Sequence, residues 1–230
     1  IEDFAKAGIK QVVLVNVIAD GDAEGEMKDG VMAKLSAMCE KLDEKGFSTS
    51  VSLRWGKPAE ELSEAAAVEN VDFMVVFSKG RQYLKRTFVG STSIQLVEKA
   101  HCPVLIEKCQ LVPSHDEQSV HFRKVLVPTD FSLASLEALA VIKAMRQYIG
   151  EVVFVNVVED KKFDEKELEH INYNLDELVE EMSGFGIKAS YFIEYGTASK
   201  EIIELSKAKD ISMVILPKIG GSVVKNILLG

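Results

Sequence analysis

Basic residues are outnumbered in this chain: 27 Lys and Arg stand against 36 Asp and Glu, a formal net charge of −9. A surface built to neutralise phosphates needs the opposite balance, so nucleic-acid binding is excluded as the main role. An anionic membrane surface gains no support either. Cysteine is sparse as well. Cys39, Cys102 and Cys109 form an odd set with no CxxC pair, which excludes a disulfide-stapled scaffold and a cysteine-built zinc site and predicts reduced thiols in a cytoplasmic protein. No apolar run approaches the ~20 residues of a membrane span. HExxH and GxSxG are absent, and Gly56-Lys57 lacks the upstream glycine of a P-loop. What remains is 47% hydrophobic and 27% charged, the balance of an ordinary globular protein.

The chain repeats itself at a constant shift of 140 residues. Gly80 falls on Gly220 and Gly90 on Gly230, Val15-Asn16-Val17 on Val155-Asn156-Val157, Gly56 on Gly196, Glu61 on Glu201, and Val75 on Ile215. A period this long is a duplicated domain rather than a solenoid of roughly 20–50-residue units. The polar stretch 109–121, with Pro113, Ser114, His115, Asp116 and Glu117, reads as a linker. The expected domains are therefore 1–108 and 122–230. The register pairs 121–140 with positions before Ile1 and 91–120 with positions after Gly230. The expectation is that the first copy lacks its opening strand and the second its last helix and strand.

Within each copy, strands and helices alternate. The valine-rich runs 12–17 and 152–157 have the continuous apolar character of strands buried on both faces of a parallel sheet. Helices are predicted at 27–45 and 166–183, with Gly46 and Gly186 near their C-termini. Strands follow at 48–53 and 189–193. Gly56-Lys57-Pro58 and Gly196-Thr197 open the next helices, and 73–77 and 213–216 are further buried strands. The first copy ends with a helix over 92–101 and a strand at 104–107; the second opens with a strand at 124–128 and a helix over 133–147. Alternation of this kind predicts an α/β protein with two doubly wound parallel sheets.

In such a sheet, ligands bind beyond the carboxyl ends of the strands. Three segments reach those ends with unusual residues: Thr129-Asp130, Asn156-Val157 with its counterpart Asn16-Val17, and the glycine-spaced stretch from Ser78-Lys79-Gly80 to Gly90-Ser91-Thr92. Glycines let a backbone approach a phosphate, and a helix start offers free N–H groups to an anion. The carboxylate of Asp130 accepts hydrogen bonds and so suits a purine amino group. Each feature also has a plainer reading. Asp130 is equally a turn residue ahead of the Ser132 cap, Gly80 and Gly90 serve a tight loop, Ser91 caps a helix, and Lys85 and Lys225 are solvated charges.

Taken together, Val127-Pro128-Thr129-Asp130-Phe131-Ser132, Gly80-x9-Gly90-Ser91 and His101-Cys102-Pro103-Val104-Leu105-Ile106 resemble the universal stress protein family. The likeness covers nearly the whole chain as a tandem pair. It implies a five-stranded parallel sheet of order 3-2-1-4-5 in each copy. It also implies an ATP site, with Mg²⁺, built on Gly-x2-Gly-x9-Gly-Ser/Thr together with an Asp after the first strand and a Val after the second. Carried over, the site residues are Thr129, Asp130, Val157, Gly220 and Gly230 in the second copy, and Val17, Gly80, Gly90, Ser91 and Thr92 in the first. The first glycine of the pattern is replaced, by Phe77 in one copy and Pro217 in the other.

Three functions compete. The resemblance implies a stress-response regulatory module that responds to adenine nucleotide. The replacements at Phe77 and Pro217 favour the alternative, an interaction protein whose sites have degenerated. A slow ATPase ranks below both, because the sequence offers no residue to position water and no metal ligands. No catalytic residue is assigned. The resemblance also implies that the strand at 104–107 lies at a sheet edge. An intramolecular pseudo-dimer of the two repeats is expected through it, with homodimerisation as a further step.

Overall fold

The computed structural model describes residues 4–5, 8–18, 26–77, 91–107, 122–159, 165–217 and 226–227. The chain divides into two compact units, Ile1–Pro113 and Ser114–Gly230.

In the second unit, β5 (Lys124–Pro128), β6 (Glu151–Val158), β7 (Lys188–Tyr195) and β8 (Met213–Val214) form one parallel sheet of order β7-β6-β5-β8. Counted within the repeat, this is 3-2-1-4. The connecting helices are α4 (Leu133–Ala144), α5 (Glu165–Gly184) and α6 (Ala198–Ala208). Right-handed crossovers put α4 and α5 on one face, because β5, β6 and β7 advance in one direction. The return from β7 to β8 puts α6 on the other face. The side chains follow the pleat. Leu126, Val153 and Val155 pack with Ile202 and Leu205 of α6, and Val125, Val127, Val152 and Phe154 turn to the opposite face. All seven of these strand residues are fully buried, which is why both strands read as unbroken apolar runs. On α5, Ile171, Leu175, Leu178 and Met182 are buried at helical spacing.

The first unit holds β1 (Gln11–Ile18), α1 (Glu26–Asp43), β2 (Ser48–Trp55), α2 (Pro58–Val68), β3 (Met74–Phe77), α3 (Ser91–Lys99) and β4 (Val104–Glu107). Here β1 pairs with β2 and β3 with β4, all parallel, as two separate two-stranded sheets. In the 3-2-1-4 order of the second unit, β5 stands between the counterparts of β1 and β3, and it is the only strand that joins them. The effect on burial is direct: β6, with a strand on each side, is buried at five consecutive positions, whereas β1 is half-buried along most of its length. Helix α2 buries the small residues Ala59, Ser63 and Ala65 and meets α3 at Ser63. The Ser63 hydroxyl donates to the Lys99 carbonyl at 3.1 Å.

The repeat extends to the helix ends. Phe47 N–H donates to Leu42 C=O while Gly46 N–H donates to Asp43 C=O; Ile187 and Gly186 do the same to Met182 and Ser183. Both are Schellman closures, each sealed by a buried pair, Phe47 with Leu42 and Ile187 with Met182. Boundaries differ from expectation by a few residues. The helix expected over 133–147 ends at Ala144, because the chain tightens into a turn in which Tyr148 N–H donates to Met145 C=O. The strand expected over 213–216 is assigned only to Met213–Val214, although Ile215 N–H still reaches Leu126 C=O at 2.9 Å.

Candidate functional site

The turn from β5 into α4 is where the second unit departs most from relaxed geometry. Phe131 has φ +61°, a left-handed conformation that a bulky side chain adopts only under constraint. The constraint is a set of short hydrogen bonds. Phe131 N–H donates to Thr129 Oγ1 at 3.0 Å, Ser132 N–H to Asp130 Oδ1 at 3.0 Å, and the Ser135 hydroxyl to the same Asp130 oxygen at 2.6 Å. Ser132 is the N-cap of α4 and accepts from Ser135 N–H. Asp130 therefore serves the turn, as the plainer reading held, and also presents an exposed carboxylate near the start of a helix. Hydrogen bonding by Ser132, and then by the Ser135 hydroxyl, holds this carboxyl below the ordinary aspartate range against a smaller opposing effect of burial. It is an anion at neutral pH.

Thr129 is buried, and two elements fix it. Its N–H donates to Val155 C=O at 2.9 Å, and its C=O accepts from the side-chain amide of Asn156 at 2.9 Å. Asn156 is a buried polar residue in an otherwise apolar run, and this bond accounts for it. It ties the end of β6 to the peptide that carries Asp130.

Val157 is placed by the same register. Its side chain packs against the core cluster, so what it offers outward is its backbone. The Val155 carbonyl faces β5, and the Val158 carbonyl faces β7, where it accepts from Gly196 N–H at 3.1 Å. Backbone groups alternate sides along a strand. The N–H and C=O of Val157 therefore face the β5 side, beyond Pro128, where β5 has ended. Among the described residues no strand continues there. The result is one donor and one acceptor side by side, next to the Asp130 turn. In the first unit, Gly56 N–H donates to Ile18 C=O at 3.0 Å, and the same alternation turns Val17 to the side away from β2.

Gly196 sits at this end of the sheet with φ +146°, and a Cβ there would lie 2.6 Å from Glu201 Oε1. Its counterpart Gly56 has φ +135°, and a Cβ there would lie 3.1 Å from Glu61 Oε1. The backbone conformation is what favours glycine at both positions. Of the remaining site residues, Ser91 and Thr92 open α3, with Ser91 exposed. Gly80, Gly90, Gly220 and Gly230 lie outside the described residues. Ile227, inside the stretch from Gly220 to Gly230, packs on the same core cluster as Val157. Pro217 is half-buried two residues past Ile215 and has no N–H to offer a phosphate. The described residues hold no group of three or more His, Cys, Asp or Glu suited to a metal ion. No helix among them is long and apolar enough to cross a membrane.

Two units in which parallel strands alternate with helices define a tandem α/β protein. The sequence profile of the universal stress protein family matches residues 2–108 and 121–230. The chain belongs to the universal stress protein family, with two copies of its domain. A universal stress protein of Methanocaldococcus jannaschii, MJ0531, is 29% identical over 82 residues, covering 36% of this chain and 48% of that protein. YxiE, a universal stress protein of Bacillus subtilis, is 33% identical over 85 residues, covering 37% of this chain and 57% of that protein. The chain thus spans about half the length of these curated relatives. A universal stress protein from Archaeoglobus fulgidus matches in structure over 99% of this chain and 87% of its own. The TM-score is 0.81 at 24% identity, which establishes likeness of fold.

Proposed function

We propose that this protein is a nucleotide-responsive stress module that binds ATP, with Mg²⁺, at the carboxyl end of the second unit's sheet. The observation that carries the reading is the backbone edge of Val157, which no strand covers among the described residues, beside the fixed carboxylate of Asp130. A backbone N–H next to a C=O matches the Watson–Crick edge of adenine, whose N1 accepts and whose N6 amino group donates. Guanine presents the reverse pattern, O6 accepting and N1–H donating, and meets the edge acceptor to acceptor. Asp130 supplies a further acceptor for an amino or hydroxyl group. The phosphates fall to the glycine stretch that includes Gly220 and Gly230, and in the first unit to Gly80, Gly90, Ser91 and Thr92 after Val17.

Nothing in the Asp130 turn acts as a catalytic base. Its Oδ1 is engaged by Ser132 and Ser135 and its carboxyl is held below the ordinary aspartate range, which makes it a weak base and favours a module that binds nucleotide over one that consumes it. Competition between ATP and GTP for the full chain tests the reading, with a phosphate-release assay alongside. The account expects ATP to be preferred by about tenfold or more, the value of one bidentate edge contact, with phosphate release at background. Equal affinity for the two nucleotides removes the edge-reading argument, and steady phosphate release moves the protein to the ATPase class. The alternative of a ligand-free interaction protein is favoured by Phe77 and Pro217 in place of a glycine. Absence of binding to either nucleotide would select it.

A further inference from the structure

Building on the adenine reading above, we infer that Glu159 is a positioning residue for the base-reading edge of the second unit, and that the two repeats are unequal because the first lacks its equivalent. β6 overshoots β5: Pro128 pairs with Val155, and Asn156 to Val158 continue with no strand on the β5 side among the described residues. A strand end supported on one side only keeps its shape if that side is fastened.

The β6–β7 ladder runs to Val158 opposite Tyr195, and two further bonds fasten the end beyond it. Gly196 N–H donates to Val158 C=O at 3.1 Å, and Ala198 N–H donates to Glu159 Oε1 at 3.1 Å. Ala198 is the first residue of α6, so its N–H is one of the donors a helix leaves without an internal partner. The N-cap residue Thr197 makes no side-chain capping bond. The acceptor comes instead from Glu159, 39 residues earlier and on a different element. Its negative charge also suits the positive end of the helix dipole. The helix it grips is itself anchored, since Ile202 and Leu205 lie in the core cluster on which Val157 and Ala198 also pack.

The first unit keeps one of these bonds and lacks both halves of the other. Gly56 N–H reaches Ile18 C=O. The residue in the place of Ala198 is Pro58, which has no N–H, and the residue in the place of Glu159 is Ala19. Donor and acceptor are both missing there, and both present in the second unit. The edge at Val157 is therefore held ready, whereas ordering a strand end with one fastening fewer would draw on the binding energy. The second unit is the tighter and more adenine-selective site.

The test uses the full chain and its Glu159→Ala and Glu159→Gln variants, titrated with Mg-ATP and Mg-GTP in a calorimeter. Glu159→Ala should weaken the tightest ATP-binding step about threefold to tenfold and narrow the ratio of ATP to GTP affinity. Glu159→Gln keeps a carbonyl acceptor and should retain most of both. Amide exchange at Ala198 should be faster in Glu159→Ala with or without nucleotide. Wild-type ATP affinity and selectivity in Glu159→Ala would overturn the inference, as would unchanged exchange at Ala198. So would a Gln variant as impaired as the Ala variant, because charge rather than position would then be at work. If the wild-type chain shows no saturable ATP binding, the nucleotide reading itself fails, and that titration reveals it before any variant is made.

Discussion

Asp130 carries two roles, and one substitution separates them. Its Oδ1 closes the turn by accepting from Ser132 and Ser135, and its charge faces solvent at the candidate site. Asp130→Asn keeps an acceptor for the turn and removes the charge. The expected outcome is a stability loss of about 1 kcal/mol or less, with ATP affinity reduced about fivefold or more, read by thermal unfolding and calorimetry on the same preparation. Unfolding that shifts while affinity holds would return Asp130 to the role of a turn residue. The importance of Asp130 was legible in the sequence only through the run Val127 to Ser132. The strained φ of Phe131 and the part played by Ser135 were not, because a serine in the first turn of a helix has no distinctive spacing. Asn156 stood out as a polar residue in a valine run, but its partner, the Thr129 carbonyl, is 27 residues away. The tie between Glu159 and Ala198 was hidden for the same reason: hydrogen bonds between elements leave no local pattern.

Element type was easier to read than element linkage. The periodicity of 152–157 and the glycines at 46 and 186 report on local burial and helix closure, both set by neighbours in sequence. The separation of the first unit's strands into β1-β2 and β3-β4 follows instead from topology, since the order seen in the second unit puts the counterpart of β5 between them. Charge pairing across strands belongs to this scale too. Glu151 at the start of β6 bridges Lys124 on β5 at 3.4 Å and Lys188 on β7 at 3.1 Å. Burial alone would raise its carboxyl, yet hydrogen bonding and charge from Lys188 and Lys124 outweigh it and leave the group below the usual glutamate range. The sign follows from linkage: a depressed carboxyl contributes stability above its unfolded value of about 4.3 and loses it as pH falls through the folded value. Glu151→Gln should therefore lower stability by about 0.5–1 kcal/mol at pH 7, and the difference from wild type should vanish in strongly acidic solution. Denaturant titrations at pH 7 and below pH 4 read this directly. A difference that persists at low pH would assign the effect to packing.

For the whole molecule, duplication means that two copies of one domain have since diverged. The first unit keeps the positive φ of Gly56 and its tie to Ile18, as the second keeps their counterparts at Gly196 and Val158. Family membership covers both units, whereas the site chemistry differs between them. Phe77 and Pro217 replace the same glycine, and Pro58 and Ala198 differ in their ability to donate. The shared 140-residue register made the two-domain organisation legible from sequence. The difference between the two sheet ends became legible only from the bond between Ala198 and Glu159. The measurement that tests the central claim most directly is a calorimetric titration of the full chain with Mg-ATP into the millimolar range, at two temperatures. Saturable heat is predicted, with a stoichiometry of one or two per chain and the tighter step assigned to the second unit by its weakening in Asp130→Asn. No saturable heat at either temperature would contradict the account and leave the protein as an interaction module without a nucleotide.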